Sequence, residues 1–259
     1  MQKEIMVERR ATVLRVTLNR PEKHNALSRS VLDGLRRIFE EKVGDESLQA
    51  VVLSGAGDQS FAAGGDLKDL STVTTLPQAM EMAEQAKSAL NAIRNFPVPV
   101  VAALNGNAMG GGAELAAACD FRIAAVSARI GFVQGRLNIS TAWGGGVDLI
   151  RLVGPDRALH LLCSSEMLTP SKALALGLYD AVAEESDGLD AAVELFLKPF
   201  LRQAPQVLRT FKDMVKAARR GDSQVELYEL ETKHFARNWV HPDHWAAADK
   251  VLDKSKEEV

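Results

Sequence analysis

The chain has 259 residues, 46% hydrophobic and 25% charged, a balance that argues against a disordered or fibrous protein and leaves ample length for a buried core. Its 31 basic and 34 acidic side chains are interspersed and sum to a net charge of −3, so no field of one sign gathers polyphosphate and nucleic acid is not an expected partner. No apolar run approaches the roughly 18 residues that span a bilayer, and Met1 to Arg10 is too charged for the core of a signal peptide, so a cytosolic protein with no membrane partner is expected.

Two short paired strands are expected at Glu4 to Glu8 and Thr12 to Leu18, where Val13, Arg15 and Thr17 alternate with Leu14, Val16 and Leu18. Ser28 is a candidate N-cap for an amphipathic helix through about Lys42, with Val31, Leu32, Leu35, Ile38 and Phe39 on one face. Gln49 to Leu53 reads as a buried strand. A glycine-rich stretch comes next, and Thr75 caps a long helix through Phe96, ended by Pro97 and Pro99. Val98 to Leu104 is a continuous apolar run of strand length, and Asn105 to Gly112 is a second glycine-rich turn opening onto a helix at Ala113 to Cys119. A strand at Phe121 to Ala125, helices at Val147 to Leu152, Pro155 to Cys163 and Pro170 to Leu176, and a strand at Tyr179 to Ala183 complete an α/β core over residues 1–188. Residues 189–259 read as a helical region with breaks at Pro205, Gly221 and Pro242. Cys119 and Cys163 have apolar neighbours and are expected as buried, reduced thiols, with no disulfide.

Two segments concentrate the features of a reaction centre. Ser60 to Leu67 places Gly64 and Gly65 after a strand, with Asp66 positioned to cap a helix beyond it; Gly110, Gly111 and Gly112 open a helix whose unsatisfied N–H groups suit an anion. Two fixed N–H donors from separate turns are what stabilisation of an oxyanion or enolate requires, although each cluster also has a bland reading as tight helix–sheet packing. Glu114 stands among alanines, where a carboxylate is costly unless partnered. It reads either as a general acid or base with a raised pKa or as a complement to the helix dipole.

Taken together, Asn19-Arg20-Pro21 with Asn25-Ala26-Leu27, Phe61 to Leu67, and Gly106 with Met109 to Leu115 and Cys119-Asp120 resemble the successive signatures of the enoyl-CoA hydratase/isomerase family, the crotonases. The resemblance covers about residues 5 to 185. It implies a spiral of strand-strand-helix turns, a C-terminal helical region used in trimerisation, a homotrimer or a hexamer built as a dimer of trimers, and acyl-CoA thioester substrates. Coenzyme A enters only as part of the substrate, and, with no metal-ligand spacing or cofactor motif in the sequence, no metal and no tightly bound cofactor are expected. By the same resemblance the N–H groups of Gly65 and Gly111 are oxyanion donors and Glu114 is a catalytic glutamate. Lys23, Asn25, Ala26, Leu27, Ala62, Ala63, Gly64, Asp66, Leu67, Gly110, Thr141 and Trp143 belong to segments that line the substrate and CoA site. The stripe Arg209, Lys212, Lys216 and Arg219 is either a solvated helix face or a contact for CoA phosphates.

The pattern breaks at one functional position. Ile130-Gly131-Phe132-Val133-Gln134 stands where hydratases carry their second glutamate, so Gln134 orients groups by hydrogen bonds but cannot act as a carboxylate base. Trp143-Gly144-Gly145 is similar to the methylmalonyl- and ethylmalonyl-CoA decarboxylase-like branch. Hydration with a single glutamate, decarboxylation of a malonyl-type thioester, and acyl-CoA binding without turnover are therefore the expectations. No P-loop, dinucleotide fingerprint or nucleophile elbow is present, and His241-Pro242-Asp243-His244 reads as a surface turn.

Overall fold

The computed structural model describes residues 3–257. Strands β1 (Ile5–Arg10) and β2 (Val13–Leu18) form the antiparallel pair, and β2 buries Leu14, Val16 and Leu18 on its inner side. Helix α1 (Arg29–Lys42) starts where the Ser28 hydroxyl accepts the Val31 N–H at 3.3 Å, satisfying one donor that the first turn leaves free. Then come β3 (Ala50–Gly55), β4 (Ser60–Ala62), the single-turn α2 (Leu67–Leu70) and α3 (Leu76–Arg94), which begins at Thr75 with a capping box closed by Gln78. A second round of strand, strand and helix is β5 (Val100–Leu104), β6 (Asn107–Met109) and α4 (Gly111–Ala118). A third begins with β7 (Phe121–Ala124) and β8 (Ile130–Gly131) and continues into α5 (Gly145–Val153), α6 (Pro155–Ser164) and α7 (Pro170–Ala175). After β9 (Ala181–Val182) the chain is helical, with α8 (Gly188–Leu197), α9 (Pro205–Arg220), α10 (Gln224–Trp239) and α11 (Pro242–Glu257).

Successive rounds stack their first strands into one sheet and their second strands into another. The larger sheet has the order β1-β2-β3-β5-β7-β9 and is parallel from β2 onward; the smaller has the parallel order β4-β6-β8. This is the strand-strand-helix spiral. Every residue of β5 is buried, as expected for a parallel strand covered on both faces. On one face α1 and α3 pack together, with Phe39 meeting Phe96 edge-on at 5.2 Å between ring centroids. On the other, Val193 and Leu197 of α8 join Ala50, Val52, Val101, Ala103 and Ile123, so this first helix beyond residue 188 covers the back of the large sheet.

Three expectations are corrected. The stretches read as glycine-rich turns hold β4 and β6, and with β8 they make a second sheet of two- and three-residue strands, too short to display alternation. The basic stripe of α9 is not a uniformly solvated face: Arg219 is exposed, but the Lys212 ammonium is buried on the Asp120 carboxylate, which also accepts from Arg219 at 2.9 Å and from the Val100 N–H at 2.9 Å. Burial pushes the Lys212 pKa down while Asp120 holds it up, so the pair tethers α9 to the junction of α4 and β7. Cys119 is buried as expected, but Cys163 is exposed because it sits on the outer face of α6. Among the described residues no helix is long and apolar enough to cross a membrane.

Replacing Asp120 leaves the Lys212 charge buried without its counter-ion. Asp120→Asn should lower the unfolding free energy by about 3–5 kcal/mol in urea titrations, and adding Lys212→Met should recover much of that loss.

Candidate active site

The two glycine turns come from consecutive rounds of the spiral, and the small sheet sets them side by side. A Cβ placed on Gly64 would lie 3.4 Å from the Gly111 nitrogen and 3.0 Å from the Met109 carbonyl oxygen. One on Gly112 would fall 1.9 Å from the Ala62 carbonyl oxygen, so only glycine lets α4 start this close to β4. Gly110 precedes the helix with φ +53° and ψ −118°, a conformation open to glycine and strained for other residues. Among the described residues the N–H groups of Gly65 and Gly111 donate to no backbone acceptor. Gly111 is the first residue of α4, where the helix has no partner to offer and its dipole is positive.

The segment from Arg20 to Leu27 is laced to the first turn. Leu27 pairs with Gly65 as an isolated parallel bridge: its N–H donates to Gly64 O at 2.8 Å and its carbonyl accepts from the Asp66 N–H at 3.0 Å. Arg20 donates to the Ala26 carbonyl at 2.6 Å and to Asp66 Oδ2 at 2.8 Å, holding the Asp66 carboxyl below its usual range while Asp66 caps α2 through the Asp69 N–H. The buried Asn25 amide accepts from the Arg20 N–H and donates to the Ala56 and Ser60 carbonyls. Its side chain is buried and shapes the loop from inside. Leu27, Ala62 and Gly64 are buried, Ala26, Ala63, Gly65 and Asp66 are half-buried, and Lys23 and Leu67 are exposed at the rim.

Glu114 follows Gly111 by one helical turn on the same face of α4. The residue is 2% exposed and its carboxylate is partnered: Oε1 accepts from the Trp143 N–H at 2.9 Å and the Gly145 N–H at 3.1 Å, and Oε2 accepts from Gln134 Nε2 at 2.9 Å. Burial raises its pKa above the ordinary 4.5 and outweighs these hydrogen bonds and the nearby Arg94 charge, which pull the other way. The carboxylate orients the Gln134 amide with its NH2 inward, which leaves Gln134 Oε1 buried without a partner among the described residues.

Trp143 is 6% exposed, and its indole packs between Gly65 and Gly111. Thr141 lies against the first turn of α5, where its hydroxyl is 2.4 Å from the point that a Cβ on Gly146 would occupy. Two contributors escaped the sequence reading. Arg94, at the end of α3, donates to the Trp143 carbonyl at 3.0 Å and to Asp148 at 2.8 Å, fixing the loop that carries the Glu114 donors. Leu70 of α2 reaches 2.9 Å from the position of a Gly65 Cβ. No local pattern marks either, because Arg94 meets partners about fifty residues away and Leu70 belongs to a helix of four residues.

The chain and its fold are matched by known proteins. A family model for enoyl-CoA hydratase/isomerase covers residues 8–256. The short-chain-enoyl-CoA hydratase of Clostridium acetobutylicum is 31% identical over 252 residues, 97% of this chain and 95% of that protein. A crotonyl-CoA hydratase of Syntrophomonas wolfei is 33% identical over 183 residues, 71% of this chain and 70% of that one. The crystal structure of an enoyl-CoA hydratase from Bacillus anthracis superimposes with a TM-score of 0.90 at 28% identity, over 97% of each chain. The residues matched by the family model run through both glycine turns, Glu114 and Gln134, and the chain belongs to the enoyl-CoA hydratase/isomerase family of enzymes.

Proposed function

We propose that the protein is an acyl-CoA lyase that adds water to a 2-enoyl thioester, with the Gly65 and Gly111 N–H groups holding the thioester oxygen and Glu114 moving the proton. The observation that carries this reading is the pair of under-used acceptors that Glu114, one turn along α4 from Gly111, forms with Gln134. Glu114 Oε1 already accepts two hydrogen bonds, whereas Oε2 accepts one and Gln134 Oε1 none. A water that donates one proton to each of the two under-used oxygens keeps a lone pair free for attack. Leaving a buried acceptor unpaired costs about 1–3 kcal/mol, which a donor arriving at Gln134 Oε1 recovers.

In this mechanism Glu114 takes a proton from water as the new C–O bond forms at the β-carbon, and the thioester becomes an enolate whose charge faces the two N–H groups. The Glu114 carboxylic acid then returns that proton to the α-carbon, so one molecule of water has been added and the carboxylate is restored. The substrate is bound as a coenzyme A thioester, and no tightly bound cofactor enters a step. Gln134 at the place of a second carboxylate also favours decarboxylation of a malonyl-type thioester as the second reading. Loss of carbon dioxide makes the same enolate without a base, and Glu114 would supply only the final proton.

Assembly as a trimer, or as two trimers, is supported by apolar surface on the C-terminal helices. Phe211, Val215, Val225, Tyr228 and Phe235 are exposed, and a cleft of about 760 Å³ runs between Phe121, Phe200, Leu208 and Phe211.

Loss of the conjugated-thioester absorbance with crotonyl-CoA is the expected result. Carbon dioxide release from methylmalonyl- or ethylmalonyl-CoA without hydration would transfer the assignment to the second reading, and activity with neither would refute both. Glu114→Gln should lower kcat by about 10²–10⁴-fold with CoA binding retained. Because the base must be deprotonated, kcat/KM should rise with pH along an acid limb lying above 4.5, the ordinary carboxylate value. The folded protein holds this proton more tightly than the unfolded chain, so stability from this group is greatest at low pH and declines as pH rises from 4.5 through the raised folded pKa. Glu114→Gln should abolish that decline in denaturation series across pH.

A further inference from the structure

The position of the Trp143 ring bears on which acyl groups the site accepts, an inference that rests on the thioester reading above. A Cβ on Gly111 would fall 2.3, 2.6 and 2.9 Å from ring atoms Cζ3, Cη2 and Cε3, and one on Gly65 would fall 3.7 Å from Cη2 and Cζ2. Cη2 therefore stands against both donor glycines at once. Gly111 and Glu114 share a face of α4, and the backbone N–H of Trp143 itself donates to Glu114, so the ring lies on the reacting side of the helix. An oxygen held by both N–H groups brings its carbonyl carbon, and the acyl carbons beyond it, alongside this edge.

We propose that the Trp143 indole is the wall that limits the acyl group to short, unbranched chains. The ring has little freedom to withdraw. Its backbone is fixed at the N–H by Glu114 and at the carbonyl by Arg94, and the side chain is 6% exposed in a packed surround. Leu70 Cδ1, 2.9 Å from the point of a Gly65 Cβ, adds a second apolar surface to the same corner. A short acyl group slides along the ring edge, while a long or branched one must displace a held side chain. A smaller residue at position 143 opens that volume without removing the backbone N–H that serves Glu114.

The test is titration calorimetry of free CoA, acetyl-CoA, butyryl-CoA and octanoyl-CoA against the wild type, Trp143→Phe and Trp143→Ala, each checked for folding by circular dichroism. The wild type should gain no affinity between butyryl- and octanoyl-CoA. The ratio of octanoyl to acetyl affinity should rise about tenfold in Trp143→Ala and by a smaller factor in Trp143→Phe, which retains a ring and guards against a collapsed alanine variant. Turnover should change in the same direction, with 2-octenoyl-CoA gaining on crotonyl-CoA. An unchanged length preference in both variants, or a wild type that already prefers octanoyl-CoA, overturns the role of Trp143 and leaves the thioester reading intact. Failure of the wild type to bind any thioester better than free CoA overturns the thioester reading and this inference with it.

Discussion

The Ala62 carbonyl oxygen and the backbone of Gly112 approach so closely that a Cβ at position 112 would sit 1.9 Å from that oxygen. This contact joins two successive rounds of the spiral through their second strands, β4 and β6, which supply the floor on which both glycine turns rest. With α4 pressed against β4, the nitrogen of Gly111 at the start of the helix lies 3.4 Å from the point that a Cβ on Gly64 would occupy, so the two glycine turns are neighbours. Neither donor depends on a side chain for its direction. Backbone held by a sheet on one side and a helix on the other reorganises little when charge appears nearby, which is the condition under which a hydrogen-bond donor stabilises an enolate strongly.

The same economy of side chains extends to Glu114. A Cβ on Gly145 would lie 2.3 Å from Glu114 Cγ, so the loop from Trp143 to Gly145 can deliver its N–H groups to the carboxylate only because that position is bare. The loop is in turn fixed from behind by Arg94, which is paired with Asp148 on α5. Burial and hydrogen bonding pull the carboxyl in opposite directions, and burial prevails. The outcome is a carboxyl group that is hydrogen-bonded in the interior and holds a proton more readily than an ordinary carboxylate, the combination that the proposed proton-transfer role would use.

The range of each interaction decides how far the sequence reveals it. The helices α1 and α3 were legible because capping by Ser28 and Thr75 and the 3.6-residue apolar period are local, and β3 and β5 because strands buried on both faces are continuous apolar runs. The second sheet was hidden, since strands as short as Ile130–Gly131 carry no period and exist only through their neighbours. Long-range polar pairs were equally hidden: Lys212 looks like one of several cations on a helix, and nothing within a few residues says that it is buried on Asp120. At the site, Glu114 was conspicuous as a carboxylate among alanines, and the glycines as clusters. The closed hydrogen bonding of Asn25 and the anchoring of the Trp143 loop by Arg94 needed the fold.

Gln134 changes the character of the site more than its modest chemistry implies. A second carboxylate at its position would face Glu114 Oε2 across the 2.9 Å now occupied by a hydrogen bond, and two like charges so close would share a proton and titrate as a pair. An amide there gives a donor to Glu114 and leaves a buried acceptor without a partner among the described residues, with one ionisable group to carry one proton. With one ionisable group, the Glu114–Gln134 pair offers a single place for a proton. Reactions in which a single proton is taken and returned, or is delivered once to an enolate already formed, fit it. Under the proposed mechanism the two N–H donors would serve both kinds of reaction equally, and discrimination between them would fall to the geometry around Glu114 Oε2 and Gln134 Oε1.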